Sequence, residues 1–148
     1  MKKLLVIAAA VIISCTAFAT PTGVNEKVLK AFNSSFANAE DIKWSEAENI
    51  YTVNFKQGTV RAVVRYDEEG NFLSSLRYYM ASQLPVDIVC KVQTRYPKRT
   101  ATDVTEYTVG DAINYYINVE DASSWITLKV DNDRNMEVQK KYKKQPAL

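Results

Sequence analysis

The stretch VNEKVLKAFNSSF, residues 24–36, decides the fold because it predicts a helix with one apolar side. Its apolar residues follow the i, i+4, i+5, i+8, i+12 spacing that gathers side chains on one helical face: Val24, Val28, Leu29, Phe32 and Phe36. Sixty residues later the stretch LPVDIVCKVQTRY, residues 84–96, repeats this spacing with Leu84, Ile88, Val89, Val92 and Tyr96. The sequence therefore predicts two similar amphipathic helices.

Four strand-like runs follow each predicted helix. They cover residues 41–44, 50–56, 59–66 and 71–79 after the first helix, and 102–109, 113–120, 125–131 and 136–143 after the second. The Gln57-Gly58 pair between two β-rich runs is typical of a hairpin turn. An offset of 64 residues superposes Tyr51, Val53 and Phe55 on Tyr115, Ile117 and Val119. We therefore expect two tandem repeats, residues 24–79 and 84–143, within one domain that covers 20–148.

The N-terminus predicts export. Lys2 and Lys3 precede an apolar run that is too short to span a bilayer, and Ala17-Phe18-Ala19 forms a small-x-small cleavage box. We therefore expect residues 1–19 to be a signal peptide and the mature protein to be periplasmic. In the alternative, Ile12-Ile13-Ser14-Cys15 is a lipobox, and a lipid on Cys15 anchors a lipoprotein to the membrane.

Cysteine and charge limit the function further. Cys15 is lost or lipidated in either case, so Cys90 has no intramolecular disulfide partner. We expect Cys90 to be a small residue tucked under a neighbouring segment, with a reactive or dimer-forming thiol as the alternative. Without Lys2 and Lys3 the chain has as many basic as acidic side chains, so the electrostatic footprint of a nucleic-acid-binding protein is missing.

The sequence also argues against an enzyme. The chain has no histidine, which removes the commonest general base and metal ligand. It has no G-x-S-x-G elbow, no P-loop and no C-x-x-C pair. We therefore expect a non-enzymatic protein.

Alternation along the predicted strands sorts their side chains onto two faces. The predicted core face carries Tyr51, Val53, Phe55, Val60, Ala62, Val64, Tyr66, Tyr115, Ile117, Val119, Ile126, Leu128 and Val130. The opposite, open face is expected to carry Arg61, Arg65, Arg77, Tyr79, Tyr116, Trp125 and Lys129. Tyr, Trp and Arg are enriched at interface hot spots, so these seven residues form the candidate partner-binding site. A plain solvated sheet surface is the alternative.

Several residues that are separated along the first repeat form a pattern that resembles that of a known family. Phe36, then Asp41-Ile42-Lys43-Trp44, Tyr51-x-Val53-x-Phe55 and Tyr66-Asp67-x-x-Gly70-x-x-Leu73 are similar to the PepSY-like, β-lactamase-inhibitor-like (BLIP-like) proteins exported by Bacteroidetes. The resemblance covers about residues 24–143. It implies an α+β fold in which two helix-plus-four-strand repeats form one antiparallel sheet with helices on one face. It also implies binding through the free face, which the namesake inhibitors use to hold their enzyme.

The second repeat departs from this pattern at two positions. Glu106 stands where the first repeat has Trp44, and Arg134 stands where the first has Gly70. Nothing in the sequence indicates that a β-lactamase is the target.

A weak calcium signature lies near the end of the chain. Asp131, Asp133, Asn135 and Glu137 have the alternating oxygen spacing that opens a calcium loop. Met136 replaces the glycine expected at the sixth position, and Tyr142 replaces the glutamate expected at the twelfth. An ordinary Asp- and Asn-rich β-turn is the competing interpretation.

Together these features predict a periplasmic or envelope protein that binds a macromolecular partner through the open sheet face, with inhibition as one form of such binding. The expected partner is an envelope protein or an acidic glycan. No cofactor is expected apart from calcium, and a calcium-responsive periplasmic module is the second hypothesis.

Overall fold

A computed structural model describes residues 23–145 of the chain. Its elements are α1 (Glu26–Ser35), β1 (Glu40–Ala47), β2 (Ile50–Gln57), β3 (Val60–Tyr66), β4 (Phe72–Met80), a 3-10 turn (Ala81–Gln83), α2 (Val86–Arg95), β5 (Thr100–Val109), β6 (Ala112–Glu120), β7 (Ser124–Val130) and β8 (Met136–Lys143). Two helices and eight strands therefore occur in the predicted order. The predicted signal peptide and lipobox lie outside the described residues. Neither described helix has the length and apolar character that crossing a bilayer requires.

Both helices begin next to residues that favour a helix start. The Asn25 side chain caps α1 by accepting a hydrogen bond of 2.8 Å from the Lys27 amide. Pro85 stands immediately before α2, where its missing amide hydrogen costs nothing. Each helix buries two residues of its apolar stripe against the sheet: Val28 and Phe32 in α1, and Ile88 and Val92 in α2.

The eight strands form one antiparallel sheet in the order β1 to β8, so every strand pairs with its neighbours along the chain. The register is interrupted within β1, within β5, where β3 meets the start of β4, and where β7 meets β8. Such bulges bend a strand and reverse the face on which the following side chains lie.

Both helices cover the same side of this sheet. Cross-strand partners share a face, and the register links Ala62 to Arg77, Arg77 to Glu106 and Glu106 to Tyr115. Ala62 belongs to the cluster under α1, and Tyr115 belongs to the cluster under α2. The predicted α+β fold, an eight-stranded antiparallel sheet with two helices on one face, is therefore confirmed. We call the other side the helix-free face, because no element of the described chain covers it.

The prediction that Arg77 and Tyr79 lie on the open face is wrong. The register pairs Arg77 with Ala62, and Tyr79 with Val104, so both side chains lie on the helix-bearing face. An extra residue in β4 between the partners of Arg65 and Tyr66 reverses the alternation there. A slip of one residue moves every side chain of a strand to the other face. Tyr78 therefore occupies the helix-free face instead.

Two further expectations need correction. Cys90 lies exposed on α2 and is not tucked under a neighbouring segment. The register also aligns the two halves differently near Glu106. Trp44 pairs with Val53, and Val104 pairs with the equivalent Ile117. Val104 is therefore the counterpart of Trp44, and Glu106 corresponds to a residue two positions further along β1.

Candidate functional site

Five of the seven predicted partner-binding residues lie on the helix-free face: Arg61, Arg65, Tyr116, Trp125 and Lys129. Arg61 and Arg65 are exposed, and neither forms an ion pair with any residue in the part of the chain that the structure describes. Trp125 is 46% exposed. Tyr116 and Lys129 are half-buried cross-strand partners, and the Lys129 ammonium lies 3.7 Å from Glu137. The face therefore combines free cations with accessible aromatic rings.

The first half of this face contains a hollow of about 750 Å³, which we call the first hollow. It opens beside the bulge of β1. It is lined by Asp41 and Ile42 of this bulge and by residues that the register places on the helix-free face: Lys43, Asn54, Lys56, Arg61, Val63 and Tyr78. The Arg61 guanidinium lies over the Tyr78 ring, 5.9 Å from its centroid. This stacking holds the arginine at the wall of the hollow.

The second half has a counterpart of about 550 Å³, the second hollow, beside the bulge of β5. It is lined by Thr102, Asp103, Asn118, Glu120, Trp125, Thr127, Lys140 and Tyr142. The 64-residue offset relates Asn54 to Asn118 and Tyr78 to Tyr142. Trp125 takes the place of Arg61 and meets the Tyr142 ring edge-on, with 6.2 Å between centroids. The two hollows are thus equivalent in position and different in chemistry.

The charges around the two hollows differ in sign. Lys43, Lys56 and Arg61 outnumber Asp41 around the first hollow, whereas Asp103 and Glu120 outnumber Lys140 around the second. In the first hollow Lys56 stands directly across from Arg61 in the neighbouring strand.

One acidic group of each hollow already has a partner. The Asp41 carboxylate lies 2.6 Å from the Lys56 ammonium, and this hydrogen bond and charge lower the pKa of Asp41. Glu120 is paired with Lys144 at 2.8 Å. Only the first hollow therefore presents surplus positive charge.

The helix-bearing face holds a polar cluster that sequence reasoning missed. Glu106 is only 9% exposed and accepts a hydrogen bond of 2.6 Å from the Tyr79 hydroxyl and one of 3.0 Å from the Arg77 guanidinium. The guanidinium also lies 5.4 Å from the centroid of the Tyr79 ring. Burial raises the pKa of Tyr79, and the adjacent carboxylate adds to the effect, so the hydroxyl remains a proton donor.

This cluster joins the two halves of the protein, since Arg77 and Tyr79 belong to β4 and Glu106 belongs to β5. One signal could have revealed it: Glu106 follows the buried Val104 by two residues, and such neighbours share a face. Its buried groups are satisfied by one another, which suits a structural contact between the halves.

The candidate calcium residues do not converge. We call residues 131–135 the acidic turn. The Asp131 carboxylate accepts hydrogen bonds from the amide of Asn135 at 2.8 Å and from its side chain at 3.1 Å, and the side-chain bond does most to lower the pKa of Asp131. Glu137 instead bonds to Gln139 at 2.7 Å.

The first half builds the same turn, with oxygen-bearing side chains at the equivalent positions Asp67, Glu69 and Asn71. Asp67 accepts hydrogen bonds of 2.9 Å from both the amide and the side chain of Asn71. Within residues 23–145, no three acidic or cysteine side chains are grouped so that they could hold one metal ion. The oxygen spacing at the acidic turn thus reflects a hydrogen-bonded turn.

The fold is that of the BLIP-like proteins of Bacteroides, and the resemblance seen in the sequence is confirmed at this level. A BLIP-like protein from Bacteroides fragilis NCTC 9343 matches with a TM-score of 0.57 and 16% identity, over 86% of this chain and 89% of that chain. A DUF2874 family protein from Bacteroides ovatus ATCC 8483 matches with a TM-score of 0.56 and 17% identity, over 85% and 89%.

A third solved structure carries a name that assigns it provisionally to the periplasm. This protein, from Bacteroides eggerthii DSM 20697, matches with a TM-score of 0.55 and 13% identity, over 81% of this chain and 88% of that chain. No protein-family model matches the sequence, and no curated protein matches it. At these identities the likeness concerns the fold.

Proposed function

We propose that this protein is a non-enzymatic, exported binding protein of the bacterial envelope and that it binds a macromolecular partner through the helix-free face. One observation carries the proposal: within residues 23–145 an eight-stranded surface is left uncovered, and it exposes Trp125 and two arginines, Arg61 and Arg65, that have no ion-pair partner there. Large aromatic and guanidinium groups contribute most of the energy at protein interfaces. Inhibition of an enzyme is one outcome that such binding supports.

The test is capture of a partner from envelope extract. The double variant Arg65→Ala, Trp125→Ala removes one anchor from each half and should abolish recovery of a stoichiometric partner. The matched control, Lys30→Ala with Gln93→Ala, alters exposed positions on the two helices and should leave recovery unchanged. Equal recovery with both double variants would rule out the helix-free face as the binding surface.

The proposed export is tested on the mature protein. Cleavage after Ala19 would leave Thr20 as the first residue, whereas lipidation would leave a modified Cys15. Intact-mass analysis of protein purified from the producing bacterium distinguishes these two forms. Recovery of the full chain with Met1 in the cytoplasm would contradict export in either form.

We also propose that the two halves descend from one duplicated unit. Supporting features are the two hollows beside equivalent bulges and the two matching Asp–Asn turns. In addition, Gly70 and Arg134 both adopt positive φ, at +81° and +66°. A duplicated unit gives one surface two versions of the same hollow, and the chemistry of each version is then free to differ.

A further inference from the structure

We propose that the first hollow binds an acidic segment of a polypeptide, with the carboxylates of that segment meeting Arg61 and Arg65. The inference rests on the proposed function, since it specifies what the helix-free face holds. It goes further because it assigns anion recognition to one half of the face and to one class of partner.

The positive charges around the first hollow are not fully compensated within residues 23–145. Lys56 and Arg61 stand directly across from each other in neighbouring strands, and like charges in that position repel. The carboxylate of Asp41 neutralises Lys56 and does not form an ion pair with Arg61. Lys43 lies beside this pair and has no ion-pair partner among the described residues. A carboxylate placed in the hollow would relieve the repulsion and pair with Arg61.

The positive charge of the first hollow continues along β3. Arg65 lies four residues from Arg61 on the same face, and Val63 stands between them. At about 3.3 Å per residue the two arginines are ~13 Å apart along the strand. An extended peptide that lies along β3 spans the same distance with acidic residues four positions apart. Arg65 stands across from Thr52 and Ser74, so no carboxylate competes for it within the sheet.

The lining of the first hollow indicates the class of partner. Between its cations the first hollow is lined by apolar side chains: Ile42, which is 39% exposed, Val63 and the ring of Tyr78. Polypeptides place aliphatic and aromatic side chains next to carboxylates, so they satisfy both parts of this lining. An acidic glycan offers the charge and a sugar face that stacks on Tyr78, but its hydroxyl-bearing surface matches the aliphatic Ile42 and Val63 less well than a peptide side chain does.

The second hollow explains why the anion binds in the first half. Trp125 and Glu120 replace Arg61 and Lys56 at the equivalent positions. The second hollow therefore lacks surplus positive charge and provides an aromatic contact instead. It also supplies an internal control, because a variant there alters the helix-free face and leaves the cations of β3 in place.

The experiment is selection of a random dodecapeptide phage library on the purified protein, followed by binding measurements with the enriched peptides. We expect peptides rich in Asp and Glu that also contain apolar residues. Arg61→Ala should weaken them about fivefold to tenfold, as should Arg65→Ala, and increasing salt should weaken them further. The control Lys30→Ala, at an exposed position of α1, should leave their affinity unchanged. Circular dichroism verifies that each variant is folded.

Other outcomes overturn the inference, and they separate it from the proposed function. If the enriched peptides bind the Arg61→Ala variant but not the Trp125→Ala variant, the acidic occupant is rejected, whereas binding through the helix-free face is supported. Peptides unaffected by either variant would reject both proposals. Failure to enrich any peptide would also reject the acidic polypeptide. Binding of polygalacturonate and of vesicles of anionic phospholipid is measured in parallel. If either one binds in an Arg61-dependent manner and no acidic peptide is enriched, a polypeptide is rejected as the occupant.

Discussion

Replacing Gly70 with alanine should destabilise the protein through two separate effects. Gly70 has φ of +81°, and a β-carbon built there would lie 2.8 Å from the backbone oxygen of Lys27 in α1. The left-handed conformation costs an alanine about 1–2 kcal/mol. The obstacle is helix backbone, which cannot rotate aside, so α1 must move by several tenths of an ångström, and such overpacking costs about 1–3 kcal/mol more. We expect Gly70→Ala to lose about 2–5 kcal/mol of unfolding free energy.

Other glycines of the same chain separate these two effects. Gly58 and Gly110 also have positive φ, at +59° and +54°, but a β-carbon at either would meet nothing within 4 Å. Their alanine variants should therefore lose only about 1–2 kcal/mol. Asparagine tolerates the left-handed region, so Gly58→Asn should be nearly neutral, whereas Gly70→Asn should retain the cost of the clash.

The assay is equilibrium urea unfolding of all five variants, followed by circular dichroism. Stability should fall in the order wild type, Gly58→Ala and then Gly70→Ala, with an unchanged dependence on urea concentration. If Gly70→Asn proved as stable as Gly58→Asn, the contact with α1 would cost nothing and the reasoning from close approach would be wrong.

The remaining predictions concern the polar groups and the acidic turn. Glu106→Ala leaves the buried Tyr79 hydroxyl without its acceptor and should cost about 1–3 kcal/mol, while alanine at the exposed Glu46 of β1 should stay within about 0.5 kcal/mol in the same urea assay. The pKa of Asp121 is lowered to about 2, and the hydrogen bond that its carboxylate accepts from the Ser123 amide is the largest cause. The Asp121 carboxylate therefore contributes its full stabilisation above the pKa of the unfolded chain, near 3.8, and this contribution disappears as the pH falls towards 2. In Asp121→Asn the free energy of unfolding should consequently depend less on pH over that interval. Millimolar calcium should leave the melting temperature unchanged relative to a chelator, because the carboxylate of Asp131 is engaged in its own turn, and a rise of several degrees would show that the acidic turn binds the metal.

Periodic patterns predicted the elements, because burial of one helical face or one strand face imposes a repeat on the sequence. The stripe from Val24 to Phe36 and its second copy therefore indicated both helices. The alternation in β2 and β3 likewise indicated their buried face, which Val53 and Val64 occupy in the structure.

The face of β4 could not be predicted in the same way. One extra residue near Leu73 reverses the alternation, and nothing in the composition of the run 71–79 marks it. As a charged residue, Arg77 was predicted to lie on the open, solvated face, but it forms an ion pair with Glu106 in the adjacent strand. Pairs of this kind depend on register, which is a property of two strands together. The sequence identifies the charged residues, but it does not show which of them pair with one another.

The order of the strands also bears on how the chain folds. Each strand pairs with the one made just before it, and a short loop closes every pairing except that of β4 with β5, which residues 81–99 and α2 separate. A polypeptide that arrives N-terminus first, from a ribosome or through a translocation pore, can extend its sheet strand by strand without waiting for a distant segment. Topologies dominated by such local contacts fold comparatively quickly.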